Sequence, residues 1–491
     1  MILLKNNYRR LFASVLTLAI ISCSNPWDDR ENNGDANLSV NLTEAITNTS
    51  DVSQFAALLK ETGYDKVLAA SKTYTVFVPT DAAMAEVDEA ILNDEEALKQ
   101  FVANHIALTA YSSVRSEDVR VKMLSNKYLD FEGSTTIDGS TIVTADHYAA
   151  NGVFHIINKA LTPKLNIWEY VKSQEGNSAM ADYLLSLKEF SIYASDADAK
   201  ALSESRGAGY QSDSLTNSYL KNVYNLNNEK NNYTLFLMKD AGYTTEVDKM
   251  KPYTIKITND VTIDSTAIYA RYYTVKDLAF AKKYKKADLP ASLVSRFGVE
   301  VPIDQTKIVD EIHLSNGIVY IMDQVDVPVE KRLLTRIIEG EKNRSYFNFG
   351  RGALSYRNRI DPFGVLFDDI MVQNPGAALP IISYSASEWY STTYKVYWRA
   401  VNDIQTNTFQ QFLSINGNSQ VVNNVTTATE KYKDFSYTTV PVKNYGEVYL
   451  GEFTLDKARD LNFILLVGAN TATNGNNSLT LDYLKFVPVL K

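Results

Sequence analysis

Few residues in this chain have both the type and the spacing that chemistry requires. Cys23 is the only cysteine among 491 residues, which excludes an internal disulfide and a thiolate metal cluster. Histidine is scarce, at four. His105 and His155 lie inside apolar runs with no acidic partner at ligand spacing, the pattern of core imidazoles with satisfied hydrogen bonds. His147, in Asp146-His147-Tyr148, is expected at the surface. Asp368 and Asp369 are adjacent, so in a strand they face opposite ways and make poor acid/base partners. Ser195-Asp196-Ala197-Asp198 is too short for a calcium loop. No G-x-S-x-G, H-E-x-x-H or P-loop pattern occurs. The expectation is a non-enzyme without cofactor or metal. A hydrolase with two carboxylates across a cleft, which leaves no sequence signature, is the least favoured alternative.

What remains is binding. An aromatic face can cover the apolar C–H face of a pyranose while amides and carboxylates orient its hydroxyls. Trp389 and Tyr390 follow a loop-like stretch. With Arg357, Asn358 and Asp361 they form the candidate glycan-binding set. Core packing and a protein interface are the competing readings of Trp389. Trp398 sits in an alternating strand pattern and is expected inside.

Cys23 has its own chemistry. Lys5, Arg9 and Arg10 precede an apolar run from Leu11 to Ile21, too short for a helix to span a bilayer and typical of an export signal. Ile20-Ile21-Ser22-Cys23 resembles a bacterial lipobox, which implies lipidation of Cys23 and anchoring by buried acyl chains. The competing reading is an ordinary secretory signal with an accidental cysteine. The acidic stretch after Cys23, Ser24 to Glu31, is similar to the export tether of surface lipoproteins in the Bacteroidetes, and it equally suits a disordered spacer. Residues 1–22 are thus expected to be signal and 23–37 tether, with the protein lipid-anchored in the outer membrane and exposed at the cell surface. Cleavage before Cys23 would take the formal charge from −9 to −12. That balance argues against nucleic acid and anionic membrane surfaces as partners.

The elements that must position these residues follow in order. Asp51, with Gln54 in the reciprocal position, is expected to cap a helix presenting Phe55, Leu58 and Leu59. Tyr74 to Val78 reads as a strand ended by Pro79-Thr80-Asp81, with Thr80 or Asp81 opening the next helix. Asp138-Gly139 predicts a tight hairpin, and Gly152 to Ile157 a last strand. Thr75-Val76-Phe77-Val78-Pro79-Thr80-Asp81 and Asn151-Gly152-Val153-Phe154-His155-Ile156-Ile157 resemble the two signatures of the fasciclin family, in order and about 70 residues apart, with Asn104-His105 between them. The resemblance covers residues 38–164 and implies that His105 and His155 support the fold.

A fainter copy is expected over 165–335. Tyr233 to Ala241 aligns with the first signature, Met238 and Lys239 replacing its proline and threonine, and Asn316 to Asp323 with the second, Tyr320 standing where His155 does. The polar segment 194–229 reads as an elaborated loop. From 336 to 491 short aromatic and β-branched strands alternate with turns, predicting an antiparallel sandwich. Its end, Leu450 to Leu455 and then Leu481 to Pro488, resembles galactose-binding-like jelly rolls, a fold that carbohydrate-binding modules often use. The expected fold class is therefore α+β, two fasciclin-like domains in tandem followed by an all-β jelly-roll-like sandwich. The expected function is glycan capture or assembly with SusC/SusD-like nutrient-uptake proteins, which such lipoproteins resemble accessories of; the alternative is adhesion through the fasciclin domains.

Overall fold

A computed structural model describes residues 39–69, 73–114, 118–132, 135–187, 216–258, 263–376, 379–422, 425–469 and 478–491. Cys23, the signal and tether, and 194–215 of the polar segment lie outside the described residues. Hydrophobic cores form in three stretches: Leu42 to Leu161, Ile167 to Leu333, and Ile338 to Phe486.

In the first stretch, strand β1 (Tyr74–Pro79) lies parallel to the distant β7 (Gly152–Ile157), from Tyr74 opposite Gly152 to Pro79 opposite Ile157. Every residue of both strands is buried, as expected where apolar runs are covered on both faces. Antiparallel strands complete a seven-stranded sheet in the order β2-β1-β7-β6-β5-β4-β3, where β2 is Ile106–Ala107, β3 Val119–Lys122, β4 Tyr128–Glu132, β5 Thr136–Ile137 and β6 Ser140–Ala149. A bridge between Ala107 and Met123 brings its two ends together. Asp138 and Gly139 both take positive φ, 47° and 79°, giving the expected tight turn between β5 and β6.

The capping differs from expectation in one respect. Thr80 caps its own helix, accepting the Ala83 N–H at 3.1 Å. Asp51, however, does not cap helix α1 (Ser53–Glu61): the N-cap position is Val52, without a side-chain bond. Asp51 has φ +65°, not the extended backbone an N-cap requires. Its place is taken by Asp81, whose carboxylate accepts the Gln54 N–H and the Ser53 hydroxyl, both at 2.8 Å. One residue of the first motif thus ties two helices together.

The second stretch repeats this geometry. Strand β8 (Tyr233–Met238) pairs in parallel with β11 (Gly317–Met322), Tyr233 opposite Gly317 and Met238 opposite Met322. They sit at the centre of a four-stranded sheet, β9-β8-β11-β10, with β9 Ala279–Phe280 and β10 Ile308–Leu314. The hydroxyl of Thr75 donates to the Thr109 carbonyl (2.6 Å) and accepts the Tyr111 N–H (2.8 Å). Thr234 does the same with Lys282 (2.7 Å) and Tyr284 (2.9 Å). Asn151 accepts the Leu42 N–H at 2.9 Å, and Asn316 the Ile167 N–H at 2.8 Å. Asp240 accepts the Ala179 N–H at 2.9 Å, as Asp81 accepts that of Gln54. Gly152 and Gly317 are required for the same reason: a Cβ would stand 2.2 Å from the Tyr74 carbonyl oxygen in one and 2.0 Å from that of Tyr233 in the other.

The first two stretches meet at a polar seam. The Arg120 guanidinium donates to the carbonyls of Glu229, Asn231 and Ser315 at 2.9, 2.9 and 2.6 Å. Lys127 pairs with Glu169 and Glu229, so the end of the polar segment 194–229 is part of this contact.

The third stretch is a β-sandwich whose strand pairings are all antiparallel. One sheet runs β12-β24-β17-β21, with β12 Arg336–Glu339, β17 Thr393–Arg399, β21 Val448–Thr454 and β24 Tyr483–Pro488. A larger sheet runs β13-β16-β22-β18-β19, with β20 beside β18: β13 Ser345–Phe347, β16 Ile381–Trp389, β18 Phe409–Val422, β19 Val425–Asp434, β20 Thr438–Val440 and β22 Arg459–Gly468. Three further strands, β14 (Leu354–Ile360), β15 (Leu366–Gln373) and β23 (Ser478–Leu481), lie side by side in that order. The sandwich docks on the second stretch through main-chain bonds, Ser391 N–H to Tyr253 O at 2.8 Å and Ala458 N–H to Ile255 O at 2.7 Å.

Candidate functional site

His105 and His155 are structural in their contacts. His105 is fully buried; its Nδ1 donates to the Phe101 carbonyl (2.8 Å) and its Nε2 accepts the Leu161 N–H (2.8 Å), which fixes the tautomer. Burial lowers its pKa to about 4. His155 accepts the Asp146 N–H on Nδ1 (3.2 Å) and donates from Nε2 to the Tyr111 carbonyl (2.7 Å); burial lowers its pKa too. His147 is half-buried, stacked on Phe154 at 4.7 Å. Among the described residues no group of three His, Cys, Asp or Glu could hold a metal ion.

The five candidate glycan residues do not form one site. Trp389 is 1% exposed. Its indole N–H donates to the Ala386 carbonyl (2.9 Å), and its ring meets Phe486 edge-on at 4.9 Å. The Arg336 guanidinium lies over it at 4.7 Å. Of the readings open for Trp389, core packing is the one the structure shows, and the glycan platform is not. The cause is local: the register of β16 shifts between Ala386 and Trp389 and Glu388 takes φ +60°, which turns the indole inward. Tyr390 is an interface contact, its ring 5.1 Å from Tyr273 and its hydroxyl donating to the Arg332 carbonyl (3.3 Å). Trp398 is buried, as its strand pattern predicts.

Arg357 and Asp361 belong to a buried ion network. Arg357 grips Asp369 with two nitrogens, Nε at 2.7 Å. Arg359 pairs with Asp403. Arg399 bonds Asp361 (3.1 Å), Asp482 and the Tyr445 carbonyl (2.7 Å), with its guanidinium 4.4 Å from the Phe367 ring centre. Burial raises the pKa of Asp369, and that of Asp482 to about 6, against the pull of the arginines. Such a network adds little net stability over apolar packing, but losing one partner strands a buried charge. Its effect is to fix the β14–β15 hairpin.

Asn358 lies on the other face of that hairpin, because neighbours in a strand point opposite ways. It stands opposite Asp368 in the register, and its amide donates to the carboxylate at 2.7 Å. Two residues back along β14, Tyr356 is 48% exposed, its hydroxyl bonded to Asn343 (2.8 Å) and the Arg351 guanidinium 5.6 Å from its ring centre. Tyr356, Asn358 and Asp368 thus offer an open aromatic ring beside an amide–carboxylate pair, on strands braced from behind by Arg357–Asp369. This can cover a sugar face and orient its hydroxyls. Tyr356 and Asp368 were missed by the sequence reading. The alternation of Leu354 to Ile360 against Leu366 to Gln373, across Asp361-Pro362-Phe363-Gly364, was the signal that could have found them.

Residues 50–163 match the family model Fasciclin domain. Protein sll1483 of Synechocystis is 24% identical over 133 residues, which cover 25% of this chain and 74% of that protein. Stabilin-2 of Mus musculus is 25% identical over 135 residues, 25% of this chain and 5% of its own length. Among solved structures, a FAS1 domain pair from the insect cell adhesion molecule fasciclin I aligns with 57% of this chain and 98% of its own, at 15% identity and a TM-score of 0.23. The C-terminal CBM6 of LamC, a marine laminarinase from Zobellia galactanivorans, aligns with 31% of this chain and 99% of its own, at 11% identity and a TM-score of 0.20. Alignments at such scores carry no functional argument. By its two motifs, its parallel strand pair and the matching family model, the chain carries a fasciclin domain at residues 50–163.

Proposed function

We propose that this protein is a non-catalytic, lipid-anchored surface protein that captures glycan on the Tyr356–Asn358–Asp368 face of its sandwich. The observation that carries the reading is an exposed tyrosine ring beside the Asn358–Asp368 hydrogen bond, on a hairpin held rigid by buried ion pairs. Fixed polar groups and a fixed ring lower the ordering cost of binding. Stretch 165–335 is read as a second, divergent fasciclin domain, supported by the repeated parallel register and the matching threonine, asparagine and aspartate bonds. Cys23 supplies the lipid anchor in the outer membrane of a Bacteroidetes-like cell, and a SusC/SusD-like transporter is the partner that would receive captured glycan.

The test is a glycan array and affinity electrophoresis with the whole protein. Tyr356→Ala and Asn358→Ala should each weaken binding at least about tenfold, the equivalent of about 1.4 kcal/mol. Absence of binding to every host, plant and microbial polysaccharide would sink the reading and leave adhesion through the fasciclin domain as the alternative. Palmitate labelling that persists in Cys23→Ser would overturn the anchor.

A further inference from the structure

The two joints of this chain are built from different contacts. Across the seam between 42–161 and 167–333, each side supplies two cations and two carboxylates: Arg120, Lys127, Asp130 and Glu132 face Lys283, Lys285, Glu169 and Glu229. Lys127 meets Glu169 at 2.7 Å and Glu229 at 2.6 Å. In the other direction, Lys283 meets Asp130 at 2.7 Å and Lys285 meets Glu132 at 3.7 Å. Arg120 directs its guanidinium at three carbonyls of the far side, those of Glu229, Asn231 and Ser315. Among the described residues no hydrophobic cluster draws members from both sides. The joint to the sandwich is the opposite. Tyr390 packs into the cores of both the second stretch and the sandwich, its ring against Tyr273. Beside it the Ser391 hydroxyl donates to the Pro252 carbonyl (3.0 Å) and accepts the Ile255 N–H (3.1 Å).

Parting the two joints therefore costs different amounts. At the seam it releases charged and polar groups that water solvates, so little net free energy is lost. At the sandwich joint it uncovers packed aromatic surface and main-chain groups that are paired only there. The connector also localises any movement. Lys164 is held to the first stretch by Asp138 (2.7 Å), while the next carbonyl, that of Leu165, accepts the Ser315 N–H of the second (2.9 Å). Helix Ile167–Ser173 starts directly afterwards, closed by a capping box on Asn166. The pivot is thus the single link from Lys164 to Leu165. We propose that the seam is a polar latch, and that its release lets residues 165–491 swing about this link as one body, carrying the sandwich with them. Ionic strength loosens the latch, because partly exposed ion pairs are screened by salt. Interfaces this polar are the ones across which domains move. The latch does not depend on the glycan reading.

The experiment measures distances by pulsed electron resonance in the whole chain carrying Cys23→Ser. Spin labels sit on Ala57→Cys, Thr244→Cys and Lys395→Cys, exposed positions in the first stretch, the second stretch and the sandwich. At low salt every pair should give a narrow distribution. In Arg120→Ala/Lys127→Ala the 57–244 and 57–395 distributions should broaden at least about twofold, while 244–395 stays narrow. Salt at about 1 M, where screening acts beyond about 3 Å, should move the natural chain the same way. Should that double variant lose its native melting, Lys283→Met/Lys285→Met releases the seam from the other side. A 57–244 distribution that is already broad at low salt overturns the latch. So does one that stays narrow both in a folded seam variant and at high salt. Broadening of 244–395 together with the others overturns the single moving body.

Discussion

Tyr320 occupies in the second stretch the position that His155 occupies in the first. His155 stacks on Phe77 at 5.4 Å and 22°, Tyr320 on Phe236 at 5.6 Å and 20°. Each then donates to the main-chain carbonyl of a tyrosine, Tyr111 at 2.7 Å and Tyr284 at 2.8 Å. A phenol and an imidazole differ in titration, however, and so does the pair His105 and Leu278, whose carbonyls accept from Phe77 and Phe236 respectively. Two similar frames therefore carry different pH sensitivity.

The first prediction follows from that difference. Unfolded His105 titrates near the ordinary 6.5, while in the fold its pKa is about 4. Between those values the unfolded chain takes up a proton that the folded chain refuses, so stability is lost as pH falls from about 6.5 to 4. The linkage is on the order of 3 kcal/mol, and His155 acts in the same direction. Hydrogen exchange at pH 5 against pH 7 should show residues 42–161 opening sooner while 167–333 changes less. Uniform loss across both would contradict it.

The close strand contacts give a second prediction. Gly152→Ala and Gly317→Ala each drive a Cβ into a backbone carbonyl, which only a main-chain shift can relieve. Each should cost about 3 kcal/mol or more, read by urea melts, and each should first disrupt its own stretch. A loss under about 0.5 kcal/mol would show that the parallel pair is not the rigid centre described.

How much of this was legible from sequence varies with the range of the interaction. Thr80 as a cap, Asp138-Gly139 as a turn and the apolar runs of β1 and β7 are local or periodic, and the structure keeps them. Asp81 capping a helix that begins 28 residues earlier is not local, and Asp51 looked better by position. Trp389 follows a loop-like stretch and was open to both platform and packing; the register shift between Ala386 and Trp389, which no local pattern announces, decides for packing. Arg357 and Asn358 were grouped as neighbours, yet the strand sends one into an ion network and the other to the surface.

Trp389 provides the third prediction. Trp389→Ala should destabilise the sandwich by about 3–5 kcal/mol through an unfilled core. Protein that remains folded should keep its glycan affinity within about twofold, since about 1.4 kcal/mol would be needed for tenfold. Selective loss of binding without loss of stability would restore Trp389 as a platform.

A fourth concerns the brace behind the proposed binding face. Asp369→Asn takes the two-nitrogen carboxylate partner from Arg357 and leaves it only the longer contact to Asp403 at 3.6 Å, a loss approaching that of a broken buried pair, about 3–5 kcal/mol. Arg357→Met with Asp369→Leu removes both charges and should be markedly less damaging. A thermodynamic cycle over these variants reads the coupling, and additivity of the single losses would contradict the pairing.

The central claim is that the open face of the β14–β15 hairpin, and not the buried tryptophan, meets glycan. Isothermal titration of the whole protein with the best glycan of an array tests it most directly, comparing the natural chain with Tyr356→Ala and with Trp389→Phe. Loss of affinity of at least about tenfold in the tyrosine variant alone is the predicted result. Unchanged affinity in Tyr356→Ala, with the melting temperature intact, would contradict it.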